Sequence, residues 1–190
     1  MMQSIQNIHK TDNDTKFGAT ANAGSDLKTT TQVTNTYHFE AFDPEGNLKW
    51  EETVCNLVTN VGLNDLLDKY LKGSAYTATF YVLLTDGTPT TNAADTLASH
   101  AGWVEVTDYT GDRKALVLGT VASQSVNNSA NKATFAIDAD STTIGGGGLA
   151  TVATGTSGVL YSVAAFTIGD KGLDSGDTLN VTVTCTAATA

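Results

Sequence analysis

The chain holds three histidines, two cysteines and several aspartates beside glycines, and these bound the chemistry open to it. A serine hydrolase needs a nucleophile, a base in reach and a group that orients the base. Of His9, His38 and His100, only His100 falls in a loop long enough to build a site, next to Ser99. No Gly-x-Ser-x-Gly elbow leads into a helix, so His100 reads as a surface or structural hydrogen-bonding group. Cys55 and Cys185 lack the flanking ligands of a thiolate–imidazole zinc site. They stand in strand-like surroundings and read as two free, largely buried thiols. Asp138, Asp140, Asp170, Asp174 and Asp177 offer hard oxygens suited to calcium, but their spacing is not that of an EF-hand loop. The plainer reading is turn aspartates bonded to their own backbone amides. The run Gly145–Gly148 suggests a phosphate loop, yet no lysine and no helix follow it. It reads instead as a loop at the rim of the fold. Asp12 with Asp14, or Glu51 with Glu52, would have to face each other across a cleft for glycoside hydrolysis. Neighbours on a strand point to opposite faces, which argues against Glu51 and Glu52. Trp50, Tyr81, Trp103 and Tyr109 could stack on sugars, but aromatics of a small β domain belong mostly to its core. No enzyme, cofactor or metal is expected.

The chain that must position these groups has 190 residues, enough for one domain with a substantial core. It carries 20 acidic against 10 basic residues, a formal net charge of -10, and Arg113 is its one arginine. Binding a nucleic-acid backbone needs clustered Lys and Arg, so direct nucleic-acid binding is not expected. The same deficit argues against an anionic membrane surface. Charged residues make up only 16% of the chain, below the usual quarter, and the composition is polar, neutral and threonine-rich. Met1–Ser4 lacks the basic and apolar regions of a signal peptide, and no window has the length and apolarity of a membrane span. Synthesis in a reducing cytosol is expected.

Residues 35–190 read as a single β-rich domain. Tyr37, Phe39 and Ala41 alternate with polar neighbours, and Asp43-Pro44-Glu45-Gly46-Asn47 is a strong turn. Leu48, Trp50, Glu52 and Val54 then share one face, which predicts a hairpin. A helix of about 12 residues is expected from an N-cap at Asn60 to a stop at Gly73, with Leu63, Leu66, Leu67, Tyr70 and Leu71 lying on a sheet. Thr77 to Thr85 reads as a buried strand, Asp86-Gly87-Thr88-Pro89 as a turn, and Thr91 to Ser99 as room for a helical turn. Trp103 to Tyr109 alternates, with Trp103, Glu105, Thr107 and Tyr109 on one face. Further strands are expected at Ala115–Val121, Ala133–Asp138, Val159–Ile168 and Thr178–Thr186. The last is uncharged and β-prone, so it must be paired or covered. Many short strands and one helix make a mainly β fold, a β-sandwich or jelly-roll-like barrel with one short amphipathic helix.

Residues 1–34 differ. Ile5, Ile8, Phe17 and Leu27 are scattered among Thr, Asn, Asp, Gly and Ala with no sustained period. Such a segment orders only on another surface. It is either a loose tail or an extended arm whose four apolar residues anchor it to a neighbouring subunit.

Five stretches carry a resemblance: Phe39–Trp50 leading into Asn56–Asn64, then Thr79–Leu84, then Trp103–Tyr109 and Ser125–Ala130. From Tyr37 to the C-terminus the chain resembles a widespread, poorly annotated family of tailed-bacteriophage virion structural proteins. Members of that family often have an arginine and a proline after the Tyr109 region, whereas here Thr110-Gly111-Asp112-Arg113-Lys114 lacks the proline. The resemblance implies a non-enzymatic component of the phage particle. On this reading it is a capsid cement or decoration protein that binds the major capsid protein and neighbouring copies of itself as a homo-oligomer. Two alternatives stand beside it: a tail or baseplate component, and a glycan-binding module for host recognition with Trp103 or Tyr109 exposed at a loop rim.

Overall fold

Side-chain alternation builds the first hairpin. In the computed structural model, which describes residues 31–75, 79–87 and 89–189, β1 (Thr31–Phe42) pairs antiparallel with β2 (Leu48–Cys55). Tyr37, Phe39 and Ala41 point inward and are fully buried, as their alternation predicts. The turn is closed by Asp43, whose backbone N–H donates to the Asn47 carbonyl at 2.9 Å and whose carboxylate accepts from the Asn47 N–H at 2.7 Å. Gly46 supplies the positive φ this turn requires.

The chain is mainly β. β3 (Leu57–Val58), β4 (Tyr81–Asp86), β5 (Val104–Val106), β6 (Lys114–Ala115), β7 (Ser125–Asn127) and β8 (Ala133–Ala136) follow, then β9 (Thr142–Ile144), β10 (Gly146–Ala150), β11 (Leu160–Ala165), β12 (Lys171–Leu173) and β13 (Thr178–Thr189). One sheet runs β2-β1-β13-β7, with β8 also on β13. A second runs β3-β11-β10-β4-β5, with β6 also on β4, and β9 and β12 form a small third sheet. Residues 33–187 form one compact unit. Of the other unit, residues 1–32 and 188–190, only the strand residues 31, 32, 188 and 189 are described. The core of the larger unit joins Tyr37 and Phe39 of the first sheet to Val82, Leu84 and Leu149 of the second. Phe39 meets Phe166 edge-on at 4.9 Å, and Tyr109 meets Phe135 in the same way at 4.8 Å. β13 is interior to its sheet, so the uncharged last strand is covered as it must be.

The structure corrects several expectations. Gly145–Gly148 is not a rim loop: Gly146–Ala150 is a fully buried strand between β4 and β11. Glycine is required there by close approach. A Cβ on Gly148 would lie 2.6 Å from the Ser162 carbonyl oxygen, and one on Gly146 would overlap the Ala164 carbonyl oxygen. On the other side, a Cβ on Gly147 would lie 2.8 Å from the Leu83 oxygen and 3.2 Å from the Phe39 ring. A run without side chains carries no period, so it cannot announce itself as a strand.

Trp103 to Tyr109 forms only the three-residue β5. Its buried members are Trp103, Val106 and Tyr109, whereas Thr107 is exposed, a spacing of three that breaks the expected alternation. Of the expected 115–121 strand only Ala115 pairs, in β6 with Lys114, because Leu116 turns inward and residues 117–122 run along the surface. Thr91–Ser99 holds turns and an isolated bridge between Thr96 and Ser99 instead of a helical turn. Thr77, Ala78 and Thr88 lie outside the described residues, as does the whole arm segment 1–30. β1 begins at Thr31, four residues before Asn35.

The helix departs most from expectation. α1 (Asn60–Leu66) is capped by Thr59, whose hydroxyl accepts the Gly62 N–H at 3.0 Å, one residue before the expected cap. It continues as a five-residue π-helix, Leu67–Leu71, closed by the Lys72 N–H donating to the Leu67 carbonyl at 3.0 Å. Gly62 is the buried residue of α1. It rests on β11 so closely that a Cβ would lie 2.9 Å from the Tyr161 Cα. That contact turns the opposite face outward. Leu67 is 53%, Leu71 72% and Tyr70 82% exposed, and Leu63 is exposed with them. Of the leucine face expected on the sheet, Leu66 is half-buried and the rest faces solvent. Among the described residues no helix is long and apolar enough to cross a membrane.

Candidate functional site

A concavity lies between the two sheets, at the mouth of the sandwich. It is a groove of about 440 Å³. Val33 and Asn35 at the start of β1 form one wall, with Cys185 of β13. Phe80, Leu116 and Leu149 form the other, and Leu66 of α1 and Tyr70 of the π-helix stand at its edge. β1 delivers Val33 and Asn35 to the inner face because they continue the Tyr37–Phe39–Ala41 alternation. Phe80 is held edge-on against Tyr161 at 5.3 Å.

A polar thread runs behind this apolar lining. The Tyr37 hydroxyl and the Ser162 hydroxyl share a hydrogen bond at 2.6 Å, and Asn35 Nδ2 donates to Ser162 Oγ at 3.3 Å. Burial pushes the Tyr37 phenol far above its ordinary range. The Asn35 backbone N–H donates to Asn56 Oδ1 at 2.9 Å. Asn35 Oδ1 is buried and has no hydrogen-bond partner among the described residues, although Asn35 is only 1% exposed. An orphaned acceptor of this kind costs about 1–3 kcal/mol until a donor reaches it. This acceptor lies behind the apolar lining, closed off from the groove.

Cys185 in the groove wall is half-buried, and burial pushes its thiol up to about 11. Cys55, expected to be buried, is exposed at the end of the edge strand β2. Alkylation follows the thiolate and its access. Under iodoacetamide at pH 8, Cys55 is expected to react about tenfold faster than Cys185, read by peptide mass spectrometry at timed quenches. Equal rates would show that the groove wall opens freely.

The other candidate residues fall into structural roles. His100 stacks on Trp103, with ring centroids 3.7 Å apart, and its Nδ1 is bonded to the Trp103 carbonyl at 3.0 Å. Trp103 is 5% exposed and donates through Nε1 to Asp95 Oδ2 at 3.1 Å, and Tyr109 is 4% exposed. Neither presents a face to solvent at a loop rim, where the glycan reading would need one. Burial, with the Glu105 carboxylate nearby, pushes the Tyr109 phenol up to about 12. Asp177 Oδ2 accepts the Asp174 N–H at 2.8 Å and pairs with Lys49 Nζ at 2.5 Å. Asp174 Oδ1 accepts the Ser141 N–H and Asp140 Oδ1 the Ser175 N–H, at 3.2 and 3.1 Å. Asp177 closes its own turn, as the plainer reading holds, whereas Asp174 and Asp140 tie two loops together through amides 33 and 35 residues away in sequence. Among the described residues no cluster of three His, Cys, Asp or Glu is placed to hold a metal ion. Glu52 is buried, accepts the Thr167 N–H at 2.9 Å and pairs with Lys171 at 3.4 Å, while Glu51 points outward. His9, Asp12 and Asp14, and the arm anchors Ile5, Ile8, Phe17 and Leu27, lie outside the described residues.

Two features were not anticipated from the sequence. The groove arises where two sheets part, which no local pattern encodes. Arg113 is buried and grips Glu105 with two 2.6 Å bonds while its Nη1 donates to the Val152 carbonyl at 3.0 Å. Its being the one arginine of the chain was the available hint. No family model matches the chain, and no curated protein matches it.

Proposed function

We propose that the chain is a non-enzymatic structural subunit of a tailed-bacteriophage particle, a capsid cement or decoration protein. In this role it holds the shell through contacts with the major capsid protein and with copies of itself. The observation that carries the reading is the apolar surface left outward by α1 and the π-helix, Leu63, Leu67, Tyr70 and Leu71, beside the mouth groove. Contiguous exposed apolar surface on a soluble domain marks a place where another macromolecule sits. The net charge of -10 keeps such a surface clear of packaged DNA. The resemblance of residues 39–50, 79–84 and 103–109 to virion proteins points the same way. The arm, with Ile5, Ile8, Phe17 and Leu27, adds area by ordering on a neighbour.

Mass spectrometry of purified particles that encode this chain is expected to find it, and cryo-electron microscopy is expected to place it over capsomer joints. Density confined to the tail would replace this reading with a tail or baseplate role. Absence from the particle would reject both.

A further inference from the structure

We propose that the mouth groove is a binding site for a small hydrophobic ammonium ion, an apolar body that carries one cationic nitrogen. The inference does not rest on the virion reading.

Size and walls come first. The groove of about 440 Å³ falls within the roughly 300–1,000 Å³ of small-molecule sites. Val33 of the first sheet, Leu149 of the second, Leu66 of α1, and Leu116 and Leu118 after β6 give it apolar walls. An apolar body gains by leaving water for such walls.

Charge comes second. Two charged side chains line the groove, Asp65 and Lys69. Lys69 Nζ is already engaged, 3.8 Å from Asp68 Oδ2. Asp65 has no hydrogen-bond or ion-pair partner among the described residues. The charge left open at the groove is therefore negative, and the net charge of -10 adds to it. A cationic head complements this site, and a carboxylate head is repelled by it.

Aromatic rings come third. Tyr70, Phe80 and Tyr161 line the same groove, and Phe80 and Tyr161 are held edge to face. The faces of such rings carry the negative end of their quadrupole and attract ammonium groups. A free carboxylate and ring faces in one apolar groove favour an organic cation over a fatty acid of equal length.

The test uses the full chain and two probes of matched tail, decyltrimethylammonium and decanoate. Binding is read by titration calorimetry and by protection of Cys185, a lining residue, from iodoacetamide. Cys55, exposed at the end of β2, is the internal control. At about 1 mM, the weak end of useful affinity, the cation is expected to slow alkylation of Cys185 several-fold and leave Cys55 unchanged. It is expected to bind about tenfold more tightly than decanoate. Asp65→Asn, at a half-buried position, is expected to erase most of that preference with unchanged circular dichroism. Leu118→Arg, which brings a cation to a partly exposed part of the lining, is expected to remove the protection of Cys185. Three results would overturn the proposal. They are Cys185 alkylated at the same rate with and without the cation, a preference for decanoate, and a cation preference that survives Asp65→Asn. The last would show attraction to the net charge of the chain alone. Finding the chain in particles, or not, leaves this site untouched, so the two readings fail separately.

Discussion

Gly146→Val is expected to destabilise the domain severely, by about 3 kcal/mol or more. Gly146 lies in β10 between two paired strands, and its missing Cβ is what lets β11 come close: a Cβ would overlap the Ala164 carbonyl oxygen and sit 3.1 Å from the Ala165 Cα. Those obstacles are backbone, so no rotamer change relieves them, and the sheet must open. Protein interiors are packed as densely as organic crystals, which leaves little slack for the shift. Domains of this kind hold only about 5–15 kcal/mol in total, so a loss of this size removes much of it. The control is Gly172→Ala in β12. Gly172 has ordinary φ and open space where a Cβ would go, so this change is expected to stay within about 0.5 kcal/mol. Urea unfolding of both variants checks the pair. Equal midpoints would show that the glycine strand tolerates side chains and that its close approach is dispensable.

Arg113→Ala is the second large effect, an expected loss of about 2–3 kcal/mol. Its side chain is almost wholly buried and is bonded twice to Glu105 and once to the Val152 carbonyl. Removing it strands the Glu105 carboxylate in a poorly solvated place. Breaking a fully buried pair costs about 3–5 kcal/mol, and the lower figure reflects the partial exposure of Glu105. Arg113→Lys keeps the charge but not the fork, so it should recover only part of the loss. Arg113→Met with Glu105→Leu removes both charges and is expected to recover most of it. Chemical denaturation of the three variants gives the ordering. A double variant as unstable as Arg113→Ala would mean that the Val152 contact, and not the charge pair, holds this corner together.

Both predictions rest on places where local pattern and tertiary contact part company. The hairpin β1–β2 was legible because half-buried strands alternate and because Asp43-Pro44-Glu45-Gly46-Asn47 has turn chemistry that needs no partner. The buried strand β4 was legible as an apolar run, and the Asp174–Asp177 turn as a side chain bonding a nearby amide, but the Asp140 bond to the Ser175 N–H, 35 residues away, was not. The helix was legible in existence and position, but not in orientation. Leu63, Leu66, Leu67, Tyr70 and Leu71 have helical spacing, and periodicity predicts that such a face is buried. Gly62 decides otherwise, because its close approach to Tyr161 sets which side of α1 meets the sheet. The site was less legible than the fold. The groove takes Asn35, Phe80, Leu149 and Cys185 from strands far apart in sequence, and nothing in the neighbourhood of any one of them marks it as a lining residue.

By itself the sequence determined a mainly β chain with one helix, an acidic balance unsuited to binding phosphate backbones, and a 1–34 segment unlike the rest. Those follow from composition and short-range stereochemistry, which every residue carries with it. The tertiary structure alone decided that Gly146–Ala150 is a central strand, that Trp103 and Tyr109 are core, that Arg113 is paired, and that an apolar face and groove stay open. Each of these depends on how closely two distant backbones approach, and that distance is set by packing across the whole sandwich.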